Sequence, residues 1–164
     1  MAADRPIVIV SNRGPVSFEL GSDGTAVARR GAGGLVSGLG PMVRGTPTLW
    51  IAAAMPDGDV AVAGSGVTDA EGFRVRLLAS DPEEWDAHYD TVCNEALWFA
   101  HHGLFDPVYE PAWPPGWVEG PWAAHRRVNA RFAAAVVEDA PEDAVALIQD
   151  YHLCLVAERL RAAR

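Results

Sequence analysis

The chain has 164 residues, a formal net charge of −9 and a hydrophobic fraction of 49%. This length suits one domain or part of a larger protein, and the apolar content is ample for a buried core. The acidic surplus disfavours nucleic-acid binders and proteins that hold anionic membranes through a basic face. All 13 basic residues are arginine, and a local arginine cluster could still bind a small anion.

The cysteines and the N-terminus give no sign of export or of a metal site. Cys93 and Cys154 have no paired spacing, so both are predicted to be reduced, buried, small apolar side chains. Residues 1–6 lack the long apolar region of a signal peptide, and no apolar run reaches membrane-spanning length. We therefore expect a cytoplasmic protein without a metal ion.

The first half of the chain is predicted to contain three strands and one helix. A continuous β-branched run at residues 6–10 is typical of a strand that is covered on both faces. The following segments are predicted as a loop (19–32), a helix that begins just after Gly33 and Gly34, a strand (46–55), a mobile stretch (56–70) and a strand (73–79).

The second half is predicted to be mainly helical. Ser80 or Asp81 can cap a helix there, and Pro82 suits its first turn. The predicted segments are a helix (80–102), a proline-rich loop (109–121), a helix (122–140), a buried strand (143–150) and a final helix (151–164). Strands that alternate with helices indicate an α/β fold, with a largely parallel sheet and flanking helices.

Polar residues and glycines follow the predicted strands. Ligands of parallel α/β sheets bind at the carboxyl ends of the strands, and the first strand is followed there by Ser11-Asn12-Arg13. Gly33 and Gly34 precede a helix, and Asp150 follows the late strand. Taken singly, Arg13 is equally typical of a surface arginine and Asp150 of a helix cap, and the glycine pair is more typical of a plain turn than of a ligand site.

Five segments together resemble the N-terminal domain of trehalose-6-phosphate synthases. They are IVIVSNR, GAGGLVSGL, HYDTVCNEALWFAHH, RVNARFA and DAVALIQDYHLCLVAERLR. Members of that family are retaining glycosyltransferases with two Rossmann-like domains facing across a cleft, the GT-B arrangement. The resemblance covers essentially the whole chain. It implies that residues 1–164 are an incomplete N-terminal, acceptor-side domain that lacks the C-terminal nucleotide-binding domain.

The resemblance assigns three residues to the acceptor. Arg13 matches the arginine that contacts the phosphate of the acceptor sugar. Tyr89 and Trp98 match an aromatic pair around glucose 6-phosphate. A guanidinium fork suits phosphate oxygens, and its rigid placement at a strand end avoids an ordering cost.

The same resemblance assigns the donor and catalytic positions. Gly33 and Gly34 match the loop that closes over the nucleotide sugar, and Asp150 matches an aspartate at the reaction centre. The implied reaction transfers glucose from a nucleotide sugar, UDP-glucose foremost, to glucose 6-phosphate in trehalose biosynthesis. It implies no metal or other cofactor, no nucleic-acid or membrane partner, and a homo-oligomer as one option for the complete enzyme.

Two departures from the family pattern leave alternatives open. Ala53 stands where the family has a tryptophan near the acceptor, and Gln149 replaces a histidine. A related glucosylglycerol-phosphate synthase or a pseudo-glycosyltransferase with another acceptor is one alternative. A non-catalytic remnant that binds sugar phosphates is another, and the chain alone is expected to be inactive.

Overall fold

A computed structural model of the chain describes residues 5–104, 113 and 115–163. The strands are β1 (Ile7–Ser11), β2 (Val16–Leu20), β3 (Ala26–Arg30), β4 (Leu49–Ala53), β5 (Val67–Ala70), β6 (Phe73–Leu78) and β7 (Val145–Ile148). The α-helices are α1 (Gly34–Val43), α2 (Asp57–Ala63), α3 (Pro82–Asp86), α4 (Trp98–His101), α5 (Ala123–Asp139) and α6 (Val156–Ala163). No helix among the described residues combines the length and apolarity that a membrane crossing needs.

Five strands form a central sheet in the order β5-β6-β4-β1-β7. β1, β4, β6 and β7 run parallel, and β5 is antiparallel to β6. β1 lies in the interior of the sheet, where Val8 is opposite Leu49 on one side and Ile7 is opposite Val145 on the other. The predicted α/β fold with a largely parallel sheet and flanking helices is confirmed.

The sheet has an apolar core on each face, as the continuous β-branched run of β1 predicts. Val8 and Val10 pack with α5 and α6 on one face. Ile9 packs on the other face with α1, α2 and the β2–β3 strands. The apolar stripe of α5, at Val128 and Phe132, is buried. The strand that leads to Arg13 is therefore held rigidly from both sides.

Three segments differ from their predictions. In the loop predicted at 109–121, Val118–Trp122 form a short π-helix, and residues 109–112 and 114 lie outside the described part of the chain. Residues 19–32 were expected to form a loop, but β2 and β3 pair there as an antiparallel hairpin. Residues 56–70 were expected to be mobile, but they contain α2 and β5. The physical reason is tertiary contact: the Asp59 carboxylate at the start of α2 accepts a hydrogen bond of 2.6 Å from the Phe18 amide in β2. The aspartate of this segment therefore fixes α2 against β2.

The helix predicted at 80–102 is present but changes its winding. Asp81 caps α3 by accepting hydrogen bonds from the amides of Glu83 and Glu84. The chain then continues as a π-helix at Ala87–Leu97 before α4 begins. π-Helical segments are uncommon and are frequent at functional sites.

Candidate functional site

A cleft of about 190 Å³ lies at the carboxyl ends of β1 and β7. The elements that meet there are the two strand ends, the start of α1 and the π-helix. Its lining residues are Ser11, Asn12, Arg13, Ala32, Gly33, Gly34, Leu35, Val36, Tyr89, Asp150 and His152. The structure therefore brings five of the six predicted site residues together around one cavity.

The backbone at Arg13 is fixed by a short hydrogen-bond chain. Ser11 donates its hydroxyl to the Arg13 carbonyl at 2.6 Å, and Trp50 donates its indole N–H to the Ser11 hydroxyl at 2.7 Å. The backbone carbonyl of the buried Asn12 accepts a hydrogen bond from the Ala53 amide. Arg13 itself is exposed and forms no ion pair with any described carboxylate. Its guanidinium is therefore available to an anionic ligand.

Gly33 and Gly34 form the entrance to α1 on the same cleft. Gly33 has φ +123°, a backbone conformation that favours glycine. The first turn of α1 carries no acidic side chain and no side-chain cap. Its free amides and the positive end of the helix dipole consequently face the cleft.

Asp150 lies on the opposite side of the cleft, directly after β7. Its φ of +69° is unusual for a residue other than glycine. The side chain accepts a hydrogen bond of 2.8 Å from the Tyr151 amide. Its other oxygen lies 3.2 Å from His152 Nδ1. Strain of this kind is concentrated at active sites and ligand clamps.

The neighbouring His152 is buried and lines the cleft. Burial lowers the pKa of His152 below its usual 6.5, while the Asp150 carboxylate opposes this change. Nε2 has no hydrogen-bond partner among the described residues, and Nδ1 faces the Asp150 carboxylate at 3.2 Å. His152 is therefore a neutral imidazole at neutral pH, with polar atoms at the edge of the cavity.

Tyr89 and Trp98 have different surroundings. Tyr89 is stacked between Trp85 and His152, with ring centroids 5.6 and 5.4 Å apart, and it lines the cleft. Trp98 stacks on His102 at 4.2 Å and is not among the cleft-lining residues. The predicted aromatic pair is thus represented in the cleft by Tyr89 alone.

A second cleft of about 220 Å³ adjoins the first. Both are lined by Arg13 and Ala32, and the second also contains Ala53, Met55 and Asp59. Ala53 therefore lies next to the arginine, at the position where the sequence departs from the family pattern.

Sequence reasoning missed a buried cluster beside the cleft, formed by His88, Cys93 and His125. A repeated W-x-x-H pattern was its only sequence signal, since Trp85 lies over His88 and Trp122 over His125. Cys93 is buried as predicted. The expectation that Cys154 is buried is wrong, because it lies exposed after the turn at Tyr151–Leu153.

Comparison with known proteins identifies a family and several similar proteins. The model of glycosyltransferase family 20 matches residues 5–164. A trehalose-6-phosphate synthase from Mycobacterium sp. strain JLS is 31% identical over 99% of the chain. The chain spans about a third of that relative's length, 32%.

Solved structures show the same fold. The E. coli trehalose-6-phosphate protein bound with UDP-2-fluoro glucose is 21% identical with a TM-score of 0.67, over 96% of this chain and 30% of the other. The α,α-trehalose-phosphate synthase from Burkholderia xenovorans in complex with glucose-6-phosphate is 24% identical with a TM-score of 0.65, over 96% and 31%. The fold, the ordered motifs and the family match over nearly every residue agree, and the chain belongs to glycosyltransferase family 20.

Proposed function

We propose that this chain is the acceptor-side domain of an α,α-trehalose-phosphate synthase that transfers glucose from UDP-glucose to glucose 6-phosphate. The observation that carries the proposal is the convergence of Arg13, Gly33, Gly34, Tyr89 and Asp150 on one cleft. Relatives with bound UDP-2-fluoro glucose and with bound glucose-6-phosphate support the two substrate classes. Residues 1–164 then form the N-terminal part of a two-domain enzyme.

The chemistry asked of this domain is positioning and charge stabilisation. Arg13 pairs with the acceptor phosphate through two parallel N–H bonds. The α1 amides after Gly33 face the donor, whose diphosphate is anionic. Asp150 accepts hydrogen bonds from sugar hydroxyls near the reacting carbon. Such fixed groups lower the barrier by holding both sugars and the developing charge in place.

Asn12 offers a further contact. Its Oδ1 is buried at the cleft and has no hydrogen-bond partner among the described residues. An unpaired buried acceptor costs free energy until it is satisfied. A sugar hydroxyl that reaches the floor of the cleft would supply the missing donor.

The Arg13→Ala variant tests the acceptor assignment. Charged hydrogen bonds contribute about 1.5–3 kcal/mol, so the KM for glucose 6-phosphate should rise about 10- to 100-fold. The KM for UDP-glucose should change far less. Steady-state kinetics of the complete gene product, with each substrate varied in turn, measure both constants.

Arg161→Ala is the matched control, because Arg161 is an exposed arginine on α6 away from the cleft. This variant should keep both KM values. An unchanged acceptor KM in Arg13→Ala, or an equal rise in both variants, would remove Arg13 from the acceptor site.

A second candidate function keeps the family but changes the acceptor. Ala53 opens the cleft next to Arg13, where a tryptophan is expected. A different phosphorylated acceptor could occupy that space, as in a glucosylglycerol-phosphate synthase. Turnover with a panel of phosphorylated sugars and polyols decides between the two, and a clear preference for glucose 6-phosphate rejects this alternative. Binding of sugar phosphates without turnover by the complete gene product would instead indicate a non-catalytic protein.

We further propose a cytoplasmic location, since both substrates are phosphorylated metabolites. Localisation of a fluorescent fusion in intact cells tests it. Assembly of the complete enzyme into a homo-oligomer is a separate proposal, and light scattering of the purified protein measures it.

A further inference from the structure

Three ligand-type side chains meet in the core beside the candidate site. His88 and Cys93 lie on the π-helix, and His125 lies on α5. All three are completely buried. Among the described residues they are the group whose ligand atoms lie within 4.8 Å of one another. None of them lines the cleft, so the candidate site does not account for them.

The distances between the three atoms are those of a metal-binding set. The two Nδ1 atoms of His88 and His125 are 3.0 Å apart. Cys93 Sγ lies 3.9 Å from His88 Nδ1 and 3.7 Å from His125 Nδ1. A tetrahedral zinc ion with ordinary bond lengths holds two nitrogens about 3.3 Å apart and a nitrogen and a sulfur about 3.6 Å apart. Shifts of a few tenths of an ångström therefore convert the cluster into a zinc site.

Hydrogen bonding leaves the Cys93 sulfur of the cluster without a close partner. A neutral pair of imidazoles shares one proton between the two Nδ1 atoms. The sulfur then has only contacts of 3.9 and 3.7 Å to these two nitrogens. A cation at the common focus would use both Nδ1 lone pairs and the sulfur.

The surroundings suit metal binding. Cys154 Sγ lies 3.6 Å from His125 Nε2 and can accept a hydrogen bond from an Nε2–H group, and that tautomer leaves Nδ1 free as a ligand. Asn129 Nδ2 lies 3.3 Å from the same nitrogen, but it donates its two hydrogens to the backbone carbonyls of His125 and His152. Trp122 stacks on His125 at 5.1 Å and Trp85 packs on His88 at 5.2 Å, so the cluster is shielded from water by aromatic rings.

We propose that His88, Cys93 and His125 form a structural zinc site that ties the π-helix to α5. Binding converts the Cys93 thiol to a thiolate: the S–H bond breaks, a Zn–S bond forms and one proton is released to solvent. The three protein ligands leave one position of a tetrahedral ion to a ligand enclosed with it, such as a single buried water molecule. The ion would fix the helix that carries Tyr89. The proposal does not depend on the reaction assigned to the cleft.

Cobalt substitution tests the site, since Co²⁺ replaces Zn²⁺ and a cobalt–thiolate bond gives an intense near-ultraviolet charge-transfer band. The complete gene product is stripped with a chelator, titrated with Co²⁺ and then back-titrated with Zn²⁺. Wild type should show the band, at about one equivalent, and lose it on zinc addition. Cys93→Ala should lack the band.

Cys154→Ala is the matched control, because its sulfur faces the opposite nitrogen of His125 and cannot share a metal bound at Nδ1. It should retain the band. Circular dichroism checks that each variant is folded. The wild-type spectrum alone keeps the test decisive if Cys93→Ala does not fold: no thiolate band in wild type overturns the proposal. A band that disappears in Cys154→Ala but persists in Cys93→Ala overturns it equally.

Discussion

At the scale of single residues, His152 links the cleft to the acid stability of the protein. Its ring is buried between Tyr89 and Tyr151, at centroid distances of 5.4 and 4.3 Å. The charged groups that act on it are Asp150, which raises its pKa, and Arg13, which lowers it. Burial has the largest effect, and together with Arg13 it outweighs Asp150, so the folded protein keeps the imidazole neutral below the usual pKa of 6.5.

The sign of the pH effect follows directly. The unfolded chain protonates His152 near its usual pKa of 6.5, whereas the folded chain resists protonation. The stability associated with the neutral ring is complete above pH 6.5 and is lost as the pH falls from there towards the folded pKa. The loss reaches at most about 1.4 kcal/mol per pH unit for one group.

His152→Phe keeps a ring for stacking and removes the titration. We expect its free energy of unfolding, measured with urea at a series of pH values, to fall less steeply on acidification than that of wild type. The comparison isolates His152 from other buried histidines, which are present in both proteins. Identical slopes would show that His152 titrates alike in the folded and unfolded states.

The local sequence pattern predicted the site residues that lie at strand ends, but not the residues that come together from distant parts of the chain. Arg13, Gly33, Gly34 and Asp150 follow strand ends or open a helix, and parallel topology brings such positions to one edge. The structure places all four there. The cluster of His88, Cys93 and His125 depends on a contact between His88 and His125, which are 37 positions apart in the sequence. A local sequence pattern cannot reveal such a contact.

At the scale of elements, α2 shows why a glycine- and aspartate-rich segment is ordered. The Asp59 carboxylate accepts hydrogen bonds from the Phe18 amide and, at 3.3 Å, from the Met55 amide. Gly58 lets α2 approach β2 so closely that a Cβ atom there would lie 2.1 Å from the Phe18 carbonyl oxygen. These contacts come from distant parts of the chain, so composition alone suggested a mobile stretch.

Gly58→Ala should therefore destabilise the fold by at least about 2 kcal/mol, because the clash is with backbone and cannot be relieved by a side-chain rotation. Urea unfolding followed by circular dichroism measures the change. Gly64→Ala at the end of the same helix is the control, since nothing lies within 4 Å of its Cβ position and its φ is −68°. That variant should be neutral or slightly stabilised. Equal effects of the two substitutions would contradict the close packing of α2 on β2.

At the scale of the whole molecule, stability depends on a layer of helices packed against each face of the sheet. Phe132 is 2% exposed at the centre of the α5 face, where it packs with the interior strands. Phe132→Ala should lower the free energy of unfolding by about 3–5 kcal/mol, since it removes a large buried ring. Chemical denaturation measures the loss.

Val137→Ala on the outer side of α5 is the comparison, because that side chain is 43% exposed. Its cost should stay within about 0.5 kcal/mol. If both variants lose the same stability, α5 does not pack on the sheet as the structure has it.

The layered architecture was the most predictable property of the chain. From residue 6 onward, segments with the apolar spacing of strands alternate with segments with the apolar spacing of helices. This spacing reflects which face of each element is buried. The β2–β3 hairpin was missed because its segment is rich in glycine, aspartate and arginine and because β3 has no fully buried residue. Helical winding was also missed, since a π-helix at Ala87–Leu97 has no pattern that separates it from an α-helix.

The two margins of the sheet differ in how they behave towards other polypeptides. β5 is an antiparallel edge that carries the exposed Asp69, and a charge there resists pairing with a foreign strand. β7 reads Val-Ala-Leu-Ile without a charge, and no other described strand pairs with its outer side. Its free backbone N–H and C=O groups can pair with another extended segment, either from the same polypeptide or from a neighbouring molecule. If the β7 edge is free in solution, a charged substitution there, such as Ala146→Lys, should slow association of the protein at high concentration.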